Sequence, residues 1–413
     1  MDNKKQIFEK YESSVRSYCR SFPSVFYKAK GAMLYDLDDK EYIDFFCGAG
    51  SVNYGHNNDY IKDKMIKFLE NDGYMHALDM MTEAKADFIE YFQENVLKPR
   101  GMDYKILFPN PTGTNAIEAA LKLARKSTGR TDVWCIMGCF HGMTLGALAL
   151  TTDADSREGA GVPLNNVVHI PAPYMFNGLD TIEYMETLIT DDHSGYSLPA
   201  AIVIETVQAE GGIHVMSNEY LQAVRALCDK YGIIMIIDDI QVGCARTGTY
   251  FSFERAGIKP DIFVMAKSIG GAGLPFAVVL TKEEYDVFTP GQHNGTFRGN
   301  QLAMVAAKAG LEYMLSEKVE EQVAKKEAIV RDYLNANVPS QFKVRGIGLI
   351  WGIEVTDGAM CAKITNKCFE NGLIAEKAGR GNNVVKIMPP LVIDEETLIK
   401  GLSIVVDAIK EVM

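Results

Sequence analysis

Residues 261–275 read DIFVMAKSIGGAGLP: an apolar run that stops on a lysine, Lys267, and passes at once into small and glycine residues. A short apolar run bounded in this way reads as a strand buried on both faces. Six more runs of the same kind are YKILF (104–108), VWCIM (133–137), NVVHI (166–170), AAIVIE (200–205), IIMIID (233–238) and FAVVLT (276–281). They alternate with amphipathic stretches such as 115–126 and 218–230, which predicts an α/β core around a mostly parallel central sheet. Residues 1–75 and 320–413 carry shorter patterns, including VRGIGLIWGIEV (344–355) and a closing helix over 395–413. These two ends are expected to form one small α+β domain, beside a large domain spanning 76–319.

Composition narrows the class. The chain has 413 residues, 47% hydrophobic and 23% charged, with a formal charge of -12 spread over many short acidic stretches. That is a solvated acidic surface, and nucleic acid is not expected as a partner. The eight cysteines form no Cys-x-x-Cys pair; Cys135 and Cys139, the closest two, read as reduced core thiols, and no metal site is expected. The first twenty residues lack an apolar stretch, and no later run approaches the ~18 residues that span a bilayer. A cytoplasmic protein without membrane segments is expected.

In an open parallel sheet, ligands bind outside the carboxyl ends of the strands. Five such positions carry chemistry. After the first run, Gly113 and Thr114 precede a helix whose free N–H groups suit a phosphate, although Thr114 or Asn115 also reads as a plain N-cap. GCFHG (138–142) places Phe140 and His141 between glycines, which taken alone reads as a core Phe and a locally bonded His before a ligand contact. Glu205 ends its run, and Glu210 lies at a glycine turn. Asp238 closes a wholly apolar strand, a position also open to a helix cap. Lys267 closes the next one. Separately each has an ordinary reading; together they describe one ligand. A desolvated lysine amine condenses with a carbonyl, a carboxylate keeps a pyridine nitrogen protonated, and a helix start holds a phosphate. That combination is pyridoxal phosphate, with the glycines after Lys267 expected to let the backbone pass close to it. A dinucleotide site is disfavoured, since no Gly-x-Gly-x-x-Gly follows the first core run.

IIDDIQVGCARTG (236–248), PDIFVMAKSIGGAGLP (260–275) and GQHNGTFRGNQLA (291–303), in this order, resemble the class III, or ω-, aminotransferases of the fold-type I pyridoxal phosphate enzymes. The resemblance covers nearly the whole chain. FFCGAGSVNYGHNN (45–58), LDMMTEAKADF (78–88), KPRGMDYKILFPNPTGTNAIEAALKLARKSTGR (98–130) and REGAGVPL (157–164) are similar to the diaminobutyrate–2-oxoglutarate aminotransferases as a group. That resemblance implies transfer of the terminal amine of L-2,4-diaminobutyrate to 2-oxoglutarate, or the reverse, in a homodimer or larger homo-oligomer. It implies Lys267 as the residue that carries the cofactor aldehyde and shuttles protons, and Asp238 as partner of the ring nitrogen. Gln241 is implied near the phenolic oxygen, Phe140 on the ring with His141 beside it, and Gly113 and Thr114 at the phosphate with Thr296 from a partner subunit. Glu210 is implied as the glutamate that masks a cation and releases it to a dicarboxylate. The chain departs from the wider class at that cation, where Lys386 stands for the usual arginine, and at Thr206, Ala209 and Ala49, the last in place of the tyrosine of ornithine aminotransferases. Another short diamino acid or ω-amino acid as donor, or a decarboxylase or racemase on the same fold, stays open at this point.

Overall fold

All seven apolar runs become strands of one sheet in the computed structural model, which describes residues 2–413. Their spatial order is Lys105–Leu107, Val278–Thr281, Ile262–Met265, Ile234–Asp238, Ala201–Ile204, Val133–Ile136 and Val167–Ile170. The last five are mutually parallel, and Val278–Thr281 runs against both of its neighbours. The central strands are buried along their whole length, the state that uninterrupted Ile, Val and Met runs demand.

The connecting helices begin and end where local chemistry sets their limits. Gly113–Thr128 starts at Thr112, whose hydroxyl accepts the Asn115 N–H, and ends at Gly129 in the left-handed region. It presents Ala116, Ile117, Ala120, Leu123 and Ala124 to the sheet. Asn218–Tyr231 is bounded in the same way by Ser217 and Gly232. Each helix runs slightly beyond its amphipathic stretch because the cap lies outside the apolar periodicity.

Residues from both ends of the chain meet in a second sheet: Phe26–Lys30, Met33–Asp36 and Glu41–Asp44 are antiparallel, and Leu373–Ile374 pairs parallel with the last of them. A third, antiparallel sheet orders Lys343–Ile347, Ile350–Glu354, Val384–Ile387 and Glu376–Ala378. Arg246 locks these layers to the core. Its guanidinium, fully buried, donates to Asn53 Oδ1 (2.5 Å), Leu349 O (2.9 Å) and Pro389 O (2.5 Å).

One expectation is corrected. Gly271, with φ at +75°, does not open a path for a cofactor: a Cβ there would lie 2.1 Å from the Ala306 carbonyl oxygen, so the glycine serves the contact with helix Gln301–Ser316. Of the glycines after Lys267, Gly273 is the one that reaches the site cavity. The eight cysteines are free thiols, all buried except Cys19. Among the described residues no helix is long and apolar enough to cross a membrane.

Candidate active site

A cavity of about 360 Å³ opens at the carboxyl edge of the seven-stranded sheet, where the parallel strands end on Glu205, Asp238 and Lys267. Strand Ile262–Met265 gives way to extended Ala266 and then to Lys267 at φ +56°, a left-handed conformation rare for a lysine. This turn directs the chain out of the sheet at the cavity. It is held by Ser268, whose hydroxyl donates to Gly50 O (2.8 Å) and accepts the Asn53 N–H (3.0 Å). Lys267 Nζ makes no hydrogen bond among the described residues. Burial pushes its ammonium below the ordinary lysine range; the Glu210 carboxylate opposes this and Lys386 adds to it.

Asp238 is paired with His141, Oδ2 to Nδ1 at 2.7 Å, and its Oδ1 accepts the Ile240 N–H. Burial alone would lower the imidazole, but the Cys139 sulfur and the Asp238 carboxylate beside it carry it well above its ordinary value. The buried imidazole therefore braces the aspartate through Nδ1. Phe140 lines the same cavity and donates its N–H to Glu205 Oε1 (3.0 Å).

Helix start 112–114 closes the other side. The N–H groups of Gly113 and Thr114 have no partner among the described residues, whereas that of Asn115 is capped and that of Ala116 is bonded to Thr112 O. Two free donors at the positive end of a sixteen-residue helix fit an anion. The Thr114 hydroxyl is otherwise engaged. Thr144 Oγ1 donates to Glu118 Oε1 (2.6 Å), so in its 2.6 Å contact with Thr114 Oγ1 it accepts, and the Thr114 proton points at Thr144. The backbone, not the hydroxyl, faces an anion here. Gly142 permits this closeness: at φ +125° a Cβ would sit 2.5 Å from Thr114 Oγ1. Thr144 and Glu118 lay outside the sequence reading, because nothing in their spacing marks them.

Glu210 and Gln241 form another wall of the cavity, and in contact with both stands Lys386, completely buried. Its Nζ donates to Glu210 Oε1 (2.6 Å), Glu376 Oε2 (3.1 Å) and Gln241 Oε1 (3.2 Å). Gln241 donates in turn to Ala49 O (3.0 Å), so both ends of its amide are engaged. Burial works against the Lys386 charge, yet Glu210 and Glu376 hold it well above the ordinary lysine value. Burial would likewise raise Glu210, but Lys386 and then Lys267 bring it below the ordinary glutamate range. Glu376 is a residue that sequence reasoning missed. Of the expected residues, Thr296 alone is exposed and absent from the cavity lining, next to Phe297, which is 66% exposed.

A small molecule that needs an amine, a carboxylate and an anion cradle together is pyridoxal phosphate, and a parallel sheet offering all three on its carboxyl edge defines the fold-type I enzymes that use it. Comparison with known proteins agrees. The profile of the class-III aminotransferases matches residues 16–409. A diaminobutyrate–2-oxoglutarate transaminase of Sporosarcina pasteurii is 50% identical over 421 aligned positions, covering 100% of this chain and 98% of that protein. One from Halalkalibacterium halodurans is 48% identical, covering 98% and 96%. Among solved structures, ornithine aminotransferase from Toxoplasma gondii has a TM-score of 0.87 at 26% identity, covering 100% of this chain and 95% of that one. An aminotransferase from Bacillus anthracis has a TM-score of 0.89 at 26% identity, covering 99% and 98%. The chain belongs to the class-III aminotransferases, and its cofactor is pyridoxal phosphate.

Proposed function

We propose that the chain is a diaminobutyrate–2-oxoglutarate transaminase, moving the terminal amine of L-2,4-diaminobutyrate to 2-oxoglutarate to give L-aspartate 4-semialdehyde and L-glutamate, or the reverse. The observation that carries this reading is the unbonded Lys267 amine in one cavity with the Asp238–His141 pair and the free N–H groups of Gly113 and Thr114. The substrate rests on relatives of that name that match half of the residues over the full length.

Bound pyridoxal phosphate supplies an aldehyde that condenses with amines and a protonated ring that draws off electrons. Gly113 and Thr114 would hold its phosphate through their N–H groups. Asp238, braced by His141, would hold the proton on the ring nitrogen, and Phe140 would cover the ring. Lys267 Nζ, made less basic by burial, would take a proton from the substrate carbon that bears the reacting amine and return one during the other half of the cycle. Glu210 would mask Lys386 while the diamino donor is bound and uncover it for the carboxylate of the acceptor.

Homodimer formation in a cytoplasmic enzyme belongs to the same proposal. Thr296 is exposed, and Met80, Met81, Leu78 and Tyr74 add a run of exposed apolar side chains that a partner subunit would cover. An amino-donor panel with 2-oxoglutarate tests the reading. Diaminobutyrate should outpace ornithine and 4-aminobutyrate, with glutamate formed one for one. A preference for either of those donors would overturn the substrate, and amine loss without glutamate would overturn transamination.

A further inference from the structure

We propose that Glu376 is a positioning residue that sets the specificity of the site, by keeping hold of Lys386 when Glu210 lets go. A lysine ammonium has three N–H donors, and here each has its own acceptor in Glu210, Gln241 and Glu376. A substrate carboxylate can reach Lys386 only by replacing one of the three. Glu376 cannot leave easily: it sits directly across from Lys386 in the register between strands Glu376–Ala378 and Val384–Ile387, and its side chain is 10% exposed. Gln241 is tied at its other end to Ala49. Glu210 is different, for it lies at a turn followed by Gly211 and Gly212, lines the cavity, and is 32% exposed. The exchange therefore swaps one carboxylate for another on a lysine that never loses its second carboxylate.

The consequence is electrostatic. Two carboxylates and one ammonium give the wall a net charge of -1, and with Glu210 swung away Lys386 is still neutralised by Glu376. With Glu210 in place the wall favours a donor that brings two ammonium groups, and with Glu210 swung away the neutral Lys386–Glu376 pair holds a dicarboxylate only loosely. An unaccompanied arginine would do the opposite. Glu376 thus adjusts the balance between the two half-reactions without touching either substrate.

This inference rests on the transaminase reading, though not on diaminobutyrate as the donor. Glu376→Gln keeps the shape and removes the charge. In single-turnover mixing of the holoenzyme, its apparent Kd for glutamate and for 2-oxoglutarate should fall about tenfold, while that for diaminobutyrate rises by a similar factor, as expected for one charge-assisted contact. Glu376→Asp, which retains the charge, should stay within about twofold of wild type on both. Glu376→Ala, read in the same way, gives the answer if the amide disturbs strand pairing. A shift of both half-reactions in one direction would mean a structural role and overturn the proposal, as would a glutamate half that does not move. A wild-type enzyme with a normal glutamate half that ignores diaminobutyrate would overturn only the substrate assignment.

Discussion

Lys267 joins two unfavourable conditions, a positive φ and a buried amine, and both are supported by neighbours whose own bonds are complete. Borohydride treatment of the purified enzyme should fix the cofactor permanently to the chain, because an imine to Lys267 reduces to a stable amine. Lys267→Ala should lose both that fixation and turnover; near wild-type transamination in the variant would disprove the assigned role. Glu205 gives a second prediction at this scale. Burial pushes its carboxyl up to about 7, so it is a buried acid that prefers to be neutral in the fold. The stability this contributes is complete below about pH 4.5 and is lost as the pH rises through about 7. Glu205→Gln removes the titration. Relative to wild type, the variant should gain about 3 kcal/mol between pH 4.5 and pH 8, read by urea unfolding across that range. A constant difference would show that Glu205 does not titrate there. Lys267 and Asp238 are legible in sequence because a charge that ends a buried run needs a reason. The Glu376–Lys386 pair is not, because it arises from strand register on a three-residue strand that no periodicity can mark.

The seven core strands were all readable as apolar runs, and the helices Gly113–Thr128 and Asn218–Tyr231 as amphipathic stretches. What the chain does not announce at this scale is which glycines hold elements together. Gly129 and Gly271 both have positive φ, yet a Cβ on Gly129 would meet nothing within 4 Å while one on Gly271 would strike the Ala306 backbone. Gly129→Ala should therefore cost only the left-handed strain, about 1–2 kcal/mol. Gly271→Ala adds a steric clash of about 1–3 kcal/mol and should displace helix Gln301–Ser316 from the turn that follows Lys267. Chemical denaturation of the two variants separates them. Equal losses would mean that the helix yields without cost.

Assembly is the scale on which one chain says least, because Thr296 is exposed and does not line the cavity of its own subunit. If Thr296 completes the phosphate site of a partner, mixing inactive Lys267→Ala subunits with weakened Thr296→Ala subunits should produce dimers in which one site is wholly intact. Activity should then rise well above that of either variant alone; a fully active monomer would exclude the shared site. The sheets were only partly foreseeable. The core strands are near one another in sequence, whereas the pairing of Glu41–Asp44 with Leu373–Ile374 joins segments more than three hundred residues apart, and no local pattern encodes a partner at that distance. Arg246 also joins distant segments, for its guanidinium gathers Asn53, Leu349 and Pro389, which lie 193, 103 and 143 residues away, around a single buried charge. During translation that charge emerges long before two of its three acceptors. Until Leu349 and Pro389 have been made, that guanidinium has only its N-terminal partner Asn53 to share its charge, so this part of the core can close only when nearly the whole polypeptide has been synthesised.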